Sequence, residues 1–307
     1  MTANIGQDER TVSLTPEAIK RIKQIEIRTR RLIKEAFAGA YHSVFKGRGI
    51  TFDGVRPYQP GDDIRDIEWN ITAREDGAYI KQYVEERELN VMIVLDGSSS
   101  ALFGTAGQNK HSLAVDIGAT LTLTAIANND KVGLMIFGDT IETYTPPRKG
   151  RNHTLGIIRD LLAERPRNTG TNIALALQSV NRLMKQRGII FFISDFLAAP
   201  EEYERELLVT SRRHDLVAVM LSDPLETRWT QDVGLVHLHD AETGQTQIID
   251  TSSRRWREQF QRQTTRFNEA TAALLNRAGV DRINISVEDD YIAALMHFFK
   301  KRARNIS

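Results

Sequence analysis

The chain has 307 residues, a formal net charge of +1 and no cysteine. That length buries a sizeable core and suits one domain with an elaboration, while the near-neutral charge balance argues against a dominant nucleic-acid or membrane field. Without cysteine there are no disulfides, thiolate metal sites or cysteine nucleophiles; the polar, acid-containing residues 1–10 are unlike a secretory signal, and no apolar run approaches the roughly 20 residues that span a bilayer, so a cytoplasmic protein with no membrane span is expected.

From 15 to 37 the pattern predicts a helix, with Thr15 as its cap, Pro16 in its first turn, and Ile22, Ile25, Thr29, Leu32, Ile33 and Ala36 at helical spacing. Its other face is rich in Lys and Arg and is read as solvated rather than as a dock for an acidic partner. Residues 47–89 are dense in Gly and Pro. Within them Phe52-Asp53-Gly54-Val55 signals a hairpin, Gln59-Pro60-Gly61-Asp62 a turn, and a strand is expected over 79–86. Arg56, Asp62, Asp63, Arg65, Asp66 and Arg74 surround Trp69. They either pin this segment onto the following domain through bidentate Arg–carboxylate pairs or form a recognition surface, and the sequence does not separate the two. Gly47 and Gly49 lack the third glycine and the Lys-Ser/Thr pair of a nucleotide loop. The expected division is an N-terminal helix and β-rich elaboration over 1–89 and an α/β domain over 90–307.

The α/β domain opens on Val91-Met92-Ile93-Val94-Leu95, a short β-branched apolar run that suits a strand buried on both faces and stops at Asp96-Gly97-Ser98-Ser99-Ser100. Then come a helix near 108–128, a strand over 132–137 with a hairpin partner near 141–144, and a helix near 153–163. Residues 188–194 repeat the buried-strand pattern and end in Asp195. Before them, Gly170 permits a tight turn, and Thr171 or Asn172 can cap a helix beginning at 172; the Thr171 hydroxyl could also reach a metal from there. A helix over 201–213, a strand over 216–221, a hairpin of 235–239 and 245–249 around Glu242-Thr243-Gly244, a helix over 252–277, a strand over 283–287 and a helix over 289–304 complete the chain. This rhythm predicts an α/β fold with a doubly wound, mostly parallel sheet. Lys300, Lys301, Arg302 and Arg304 suit the negative end of the last helix dipole. His237 and His239 share a strand face but lack a third ligand; His153 and His214 sit at element starts and are read as structural.

Ligands in open parallel sheets bind at the carboxyl ends of strands where neighbouring connections leave in opposite directions. If the two acid-tipped strands are neighbours there, Asp96 and Asp195 face one crevice. Taken singly, Ser98 to Ser100 can be hydroxyls that satisfy backbone donors in a loop, and Thr171 a cap. Taken together, Asp96, Ser98, Ser100, Thr171 and Asp195 resemble the metal-ion-dependent adhesion site of von Willebrand factor A domains. Residues 47–74 and Lys81-Gln82-Tyr83-Val84-Glu85-Glu86-Arg87 further resemble the segment that the bacterial domain of unknown function 58 family places before such a domain. Ala101 departs from the Met that many relatives carry there.

The resemblance implies a von Willebrand factor A-like, Rossmann-type domain in which Ser98 and Ser100 bind the ion directly, Thr171 joins them in the liganded state, and Asp96 and Asp195 act largely through water. An all-oxygen, water-bearing site suits Mg2+ or Mn2+ better than zinc. It also implies a non-enzymatic protein-interaction module in which a partner's acidic side chain completes the coordination, with a MoxR-type AAA+ ATPase as the expected partner in chaperone-like assembly. The competing expectation is a magnesium-dependent phosphotransferase or hydrolase, because an apolar strand ending in Asp also opens the haloacid-dehalogenase motif. That chemistry needs an Asp at the position held by Ser98.

Overall fold

The computed structural model describes positions 20, 21, 23–25 and 27 and residues 51–74, 77–84, 88–104, 109–164, 170–227, 229, 233–239 and 246–306. Strands β1 (Thr51–Pro57) and β2 (Tyr79–Val84) form a separate antiparallel ribbon. The main sheet is built from β3 (Asn90–Asp96), β4 (Lys131–Phe137), β5 (Ile141–Arg148), β6 (Ile189–Ser194) and β7 (Asp215–Ser222). A second ribbon pairs β8 (Leu235–His239) with β9 (Thr246–Asp250), after which β10 (Asp281–Ser286) joins the main sheet. The order of that six-stranded sheet is β10-β7-β6-β3-β4-β5, parallel throughout except where β5 returns antiparallel to β4.

Six long helices cover the sheet: α1 (Lys110–Ala127), α2 (Arg151–Ala163), α3 (Ile173–Leu183), α4 (Pro200–Arg213), α5 (Arg254–Arg277) and α6 (Tyr291–Ile306). The two-residue side-chain period of a strand sorts them into two layers. Val91, Ile93 and Leu95 of β3 face a cluster with Leu113 and Ile117 of α1, Ile157 and Leu161 of α2, and Leu295 and Phe299 of α6. Met92 and Val94 face the opposite cluster, with Ala176 and Leu177 of α3, Tyr203 and Leu207 of α4, and Leu274 and Leu275 of α5. This is the doubly wound α/β architecture that the strand–helix rhythm predicts.

Helix α1 is apolar around most of its circumference, a pattern that requires cover on more than one side. The sheet supplies one side; Ile25, 4% exposed, belongs to the same apolar cluster. Arg21 supports that packing by donating to Asp116 Oδ1 at 3.0 and 2.8 Å and to the Ser112 carbonyl at 3.0 Å. The described positions between 20 and 27 are helical, so part of the expected N-terminal helix docks here, and one arginine of its basic face is paired rather than solvated. The remainder of 15–37, and Gly47 and Gly49, lie outside the described residues.

Two local expectations are corrected and a third is extended. Asp53 and Gly54 make no hairpin turn; they lie inside β1, where the register with β2 shifts between Phe52 and Gly54. A bulge exploits the same missing Cβ that a turn does, which is why the dipeptide misleads. Arg56 does make a bidentate pair, 2.7 Å to each oxygen of Asp62, but it ties β1 to the following turn within the elaboration instead of pinning the elaboration to the core. That turn is the one expected at 59–62: the Asp62 amide donates to the Gln59 carbonyl at 3.1 Å, with Gly61 at φ 110°. Arg302 of α6 does more than oppose a helix dipole: it reaches Asp215 at 2.5 Å and Asp281 at 3.0 Å, joining the starts of β7 and β10.

Candidate functional site

β3 lies between β4 and β6, and the chain leaves it toward α1 and β4 before returning to β6 on the other side. The two acid-tipped strands are therefore neighbours at a switch point. Leu95 pairs with Ile193, which sets Asp96 beside Ser194 and one residue from Asp195. Beyond Asp96 the Gly97 amide donates to the Phe137 carbonyl at 2.7 Å, holding the loop against β4. A Cβ on Gly97 would stand 3.1 Å from Ile136 Cγ2, so the close approach favours glycine.

Asp96 is 4% exposed, and both its oxygens accept hydrogen bonds: Oδ1 from the Ser98 amide at 3.0 Å and Oδ2 from the Ser194 hydroxyl at 2.7 Å. Burial pushes its carboxyl up to about 7, and the negative charge of Asp195 pushes in the same direction against those hydrogen bonds. The Ser98 and Ser100 hydroxyls stand 2.8 Å apart, at the start of a single 3-10 turn over Ser99–Leu102. Adjacent ligands of an octahedral magnesium with bonds of about 2.1 Å are separated by roughly 3 Å. The two hydroxyls thus have the spacing of neighbouring ligands, and they stand beside carboxylates that repel each other. No cluster of three acidic, imidazole or thiol side chains suited to a metal occurs among the described residues.

Asp195 follows β6. Its Oδ1 accepts the Leu197 amide at 3.3 Å and its Oδ2 the Lys110 ammonium at 2.6 Å. Phe196 adopts φ 54°, a left-handed conformation uncommon for a bulky residue. Its ring is held 5.4 Å from Phe192 and 6.2 Å from Tyr203, and its amide donates to the Ser194 hydroxyl at 3.0 Å. Thr171 is half-buried in the turn before α3. The cap of that helix is Asn172, whose Oδ1 accepts the Leu175 amide at 2.9 Å, so Thr171 is not the cap. The Asn172 amide donates to the Gly138 carbonyl at 2.9 Å, bringing this turn to the end of β4, next to the Phe137–Gly97 contact.

Asp96, Ser98, Ser100 and Asp195 thus form one set linked by hydrogen bonds and charge, and the backbone carrying Thr171 is tied to the same edge of the sheet. Sequence reasoning missed three members of the surroundings. Ser194 bridges Asp96 to the β6 tip; its position directly before an acid at a strand end was the available signal. Lys110, 0% exposed, donates to both Asp195 and Glu226 Oε1, the latter at 2.5 Å. Burial pulls its ammonium down, and the two carboxylates outweigh that and raise it. Glu226 belongs to a single helical turn, Pro224–Thr227, after β7; burial pushes its carboxyl up against the pull of Lys110. Its Oε2 accepts the Asp223 amide at 3.1 Å.

The histidines have separate roles. His153 Nε2 is 2.8 Å from the Val132 carbonyl, and His214 Nδ1 accepts the Gly188 amide at 3.3 Å. His237 is exposed on β8, and the side chain of His239 and the turn at 242–244 lie outside the described residues. No helix among the described residues is long and apolar enough to cross a membrane.

Residues 54–270 match the family model described as protein of unknown function DUF58. The uncharacterized protein Rv1480 of Mycobacterium tuberculosis is 29% identical over 293 residues, covering 94% of this chain and 91% of that protein. The uncharacterized protein MAV169 of Mycobacterium avium is 29% identical over 164 residues, or 53% of this chain and 95% of that one. Among solved structures, the conserved hypothetical protein BatB from Bacteroides thetaiotaomicron aligns with a TM-score of 0.49 and 16% identity over 70% of this chain and 99% of its own, a likeness too distant to carry an argument about the site. With the family segment and the acid-tipped strands in one continuous match, the chain belongs to the DUF58 family.

Proposed function

We propose that this protein is a divalent-cation-dependent protein-interaction module. Mg2+ or Mn2+ is held by Ser98 and Ser100, with Thr171 as a further ligand and Asp96 and Asp195 acting largely through water. An acidic side chain of a protein partner completes the coordination. The observation that carries this reading is the pair of hydroxyls 2.8 Å apart beside two buried carboxylates, one of which is pushed up to about 7 by burial and by the negative charge of the other. Asp195 and Glu226 share the Lys110 ammonium while Asp96 meets the Ser98 amide and the Ser194 hydroxyl, so with all three acids ionised these four side chains carry two net negative charges for a divalent ion to balance.

Neutral hydroxyl ligands leave much of the ion's charge unquenched, which favours capture of a carboxylate. The resemblance to the domain of unknown function 58 family supports a MoxR-type AAA+ ATPase, or its client, as that partner. A phosphoryl-accepting role for Asp96 is disfavoured because both of its oxygens accept hydrogen bonds and the neighbouring acid–base position is Ser98.

The test is Mn2+ titration by calorimetry of the full chain, its Asp96→Asn form and its Ser98→Ala/Ser100→Ala form. It is followed by co-purification of the full chain with a MoxR-type ATPase, with and without chelator. Saturable binding lost in both variants, with association that chelator abolishes, supports the reading. Mn2+ binding unchanged by the serine substitutions overturns the site, and association indifferent to chelator overturns the cation bridge.

A further inference from the structure

Lys110 is the one Lys or Arg among the described residues whose whole residue is buried. Its position is unfavourable twice over. As the first residue of α1 it places a cation at the positive end of a helix, and its side chain, 1% exposed, gives up most of its hydration. An apolar residue would close that end of the helix without either penalty. Two carboxylates offset them, and one of these is Asp195, a member of the candidate cation site. The other, Glu226, belongs to the turn after β7 and is anchored through the Asp223 amide.

Resting on the cation-site reading, we propose that Lys110 is a positioning residue that sets the affinity of that site: a tethered monovalent charge that competes with the divalent ion for Asp195. Because the ammonium engages Oδ2 of Asp195 and the Leu197 amide engages Oδ1, this acid offers the ion only part of its charge. The ion is then held chiefly by the neutral hydroxyls, and its retention comes to depend on the carboxylate that a partner brings. Glu226 sets how strongly the ammonium competes. By sharing Lys110 it weakens the pull on Asp195, and by anchoring the ammonium between two elements it fixes where that charge sits.

Two substitutions shift the balance in opposite directions. In Glu226→Gln the ammonium has only Asp195 as a charged partner, and Mn2+ affinity falls by about threefold or more. In Lys110→Met/Glu226→Gln the competing cation and its second acid are removed together, so Asp195 is released to the ion and affinity rises by about tenfold. A purely structural role predicts weakened binding in both. Calorimetric Mn2+ titration of the full chain and both variants, with folding checked by circular dichroism and melting, gives the comparison. A folded double variant that binds no tighter than the parent overturns the role of Lys110 and leaves the cation site standing. If the double variant does not fold, Lys110→Gln, which keeps a hydrogen-bond donor between the two acids, decides: tighter Mn2+ binding supports the inference, and unchanged or weaker binding overturns it. Absence of Mn2+ binding in the parent and in both variants removes the cation site and this inference with it.

Discussion

Asp96→Asn keeps the shape of the β3 tip and removes its charge, and in chelator at neutral pH the variant should be more stable than the parent. An unperturbed aspartate ionises near 3.8, whereas burial and the charge of Asp195 hold the folded Asp96 at about 7. A gap of roughly three units corresponds to about 4 kcal/mol favouring the neutral form. Against this, the Asn amide nitrogen cannot accept the Ser194 hydroxyl as Oδ2 does at 2.7 Å, and losing a hydrogen bond to a charged group costs about 1.5–3 kcal/mol. The net gain is then about 1–2.5 kcal/mol, or a rise in Tm of about 2–5 °C. The pH dependence has a definite sign. Between about 4 and 7 the folded parent holds a proton that the unfolded chain has released, so this group's contribution falls as pH climbs through that window and levels off above it. The measurement is the difference in Tm between variant and parent across pH 4 to 8, which cancels the slopes of other groups; added Mg2+ should reverse the order by stabilising the parent alone. A variant that melts below the parent in chelator at pH 7.5, or a difference that does not grow between pH 5 and 7, refutes the account of Asp96.

Gly97→Ala sets a Cβ 3.1 Å from Ile136 Cγ2, a side-chain atom that can yield, so urea unfolding should show a loss of about 1 kcal/mol while calorimetry shows weakened Mn2+ binding. Gly188→Ala meets the Asn90 carbonyl oxygen at 2.3 Å, which is backbone and cannot yield; urea unfolding should show a loss of about 3 kcal/mol or more. His214 is held down to about 4 by burial, with the positive charges of Arg213 and Arg187 adding to it, while the unfolded imidazole titrates near 6.5. Its contribution is complete above about 6.5 and is lost as pH falls toward 4, because the unfolded chain takes up the proton first; His214→Gln should flatten that part of the stability profile measured in urea.

The acid-tipped strands were legible because a buried parallel strand needs an unbroken apolar run, and the carboxylates at 96 and 195 mark where each run ends. The alternation of Val91, Ile93 and Leu95 with Met92 and Val94 matches the two helical layers, whereas the sheet order rests on pairings between distant strands that the runs alone do not decide. The Asp53-Gly54 bulge was not legible, since turn and bulge draw on the same freedom of glycine and only the pairing partner distinguishes them. Choosing between Thr171 and Asn172 as cap was equally beyond local chemistry, because both side chains can accept an amide. Lys110 was hidden for a different reason. A lysine at a helix start ordinarily reads as solvated, and the acids that bury it lie 85 and 116 residues away in sequence.

Phe196 has a consequence for how damage travels through the protein. Its left-handed backbone directly follows Asp195, and its ring is wedged between Phe192 and Tyr203, so the direction in which that acid points is decided by packing in the apolar layer beneath. A cavity made at Tyr203, on a helix that supplies no oxygen to the site, would let the ring relax and swing the acid with it. Substitutions that look purely architectural should therefore register first as a change in ion chemistry, before any loss of folding is seen.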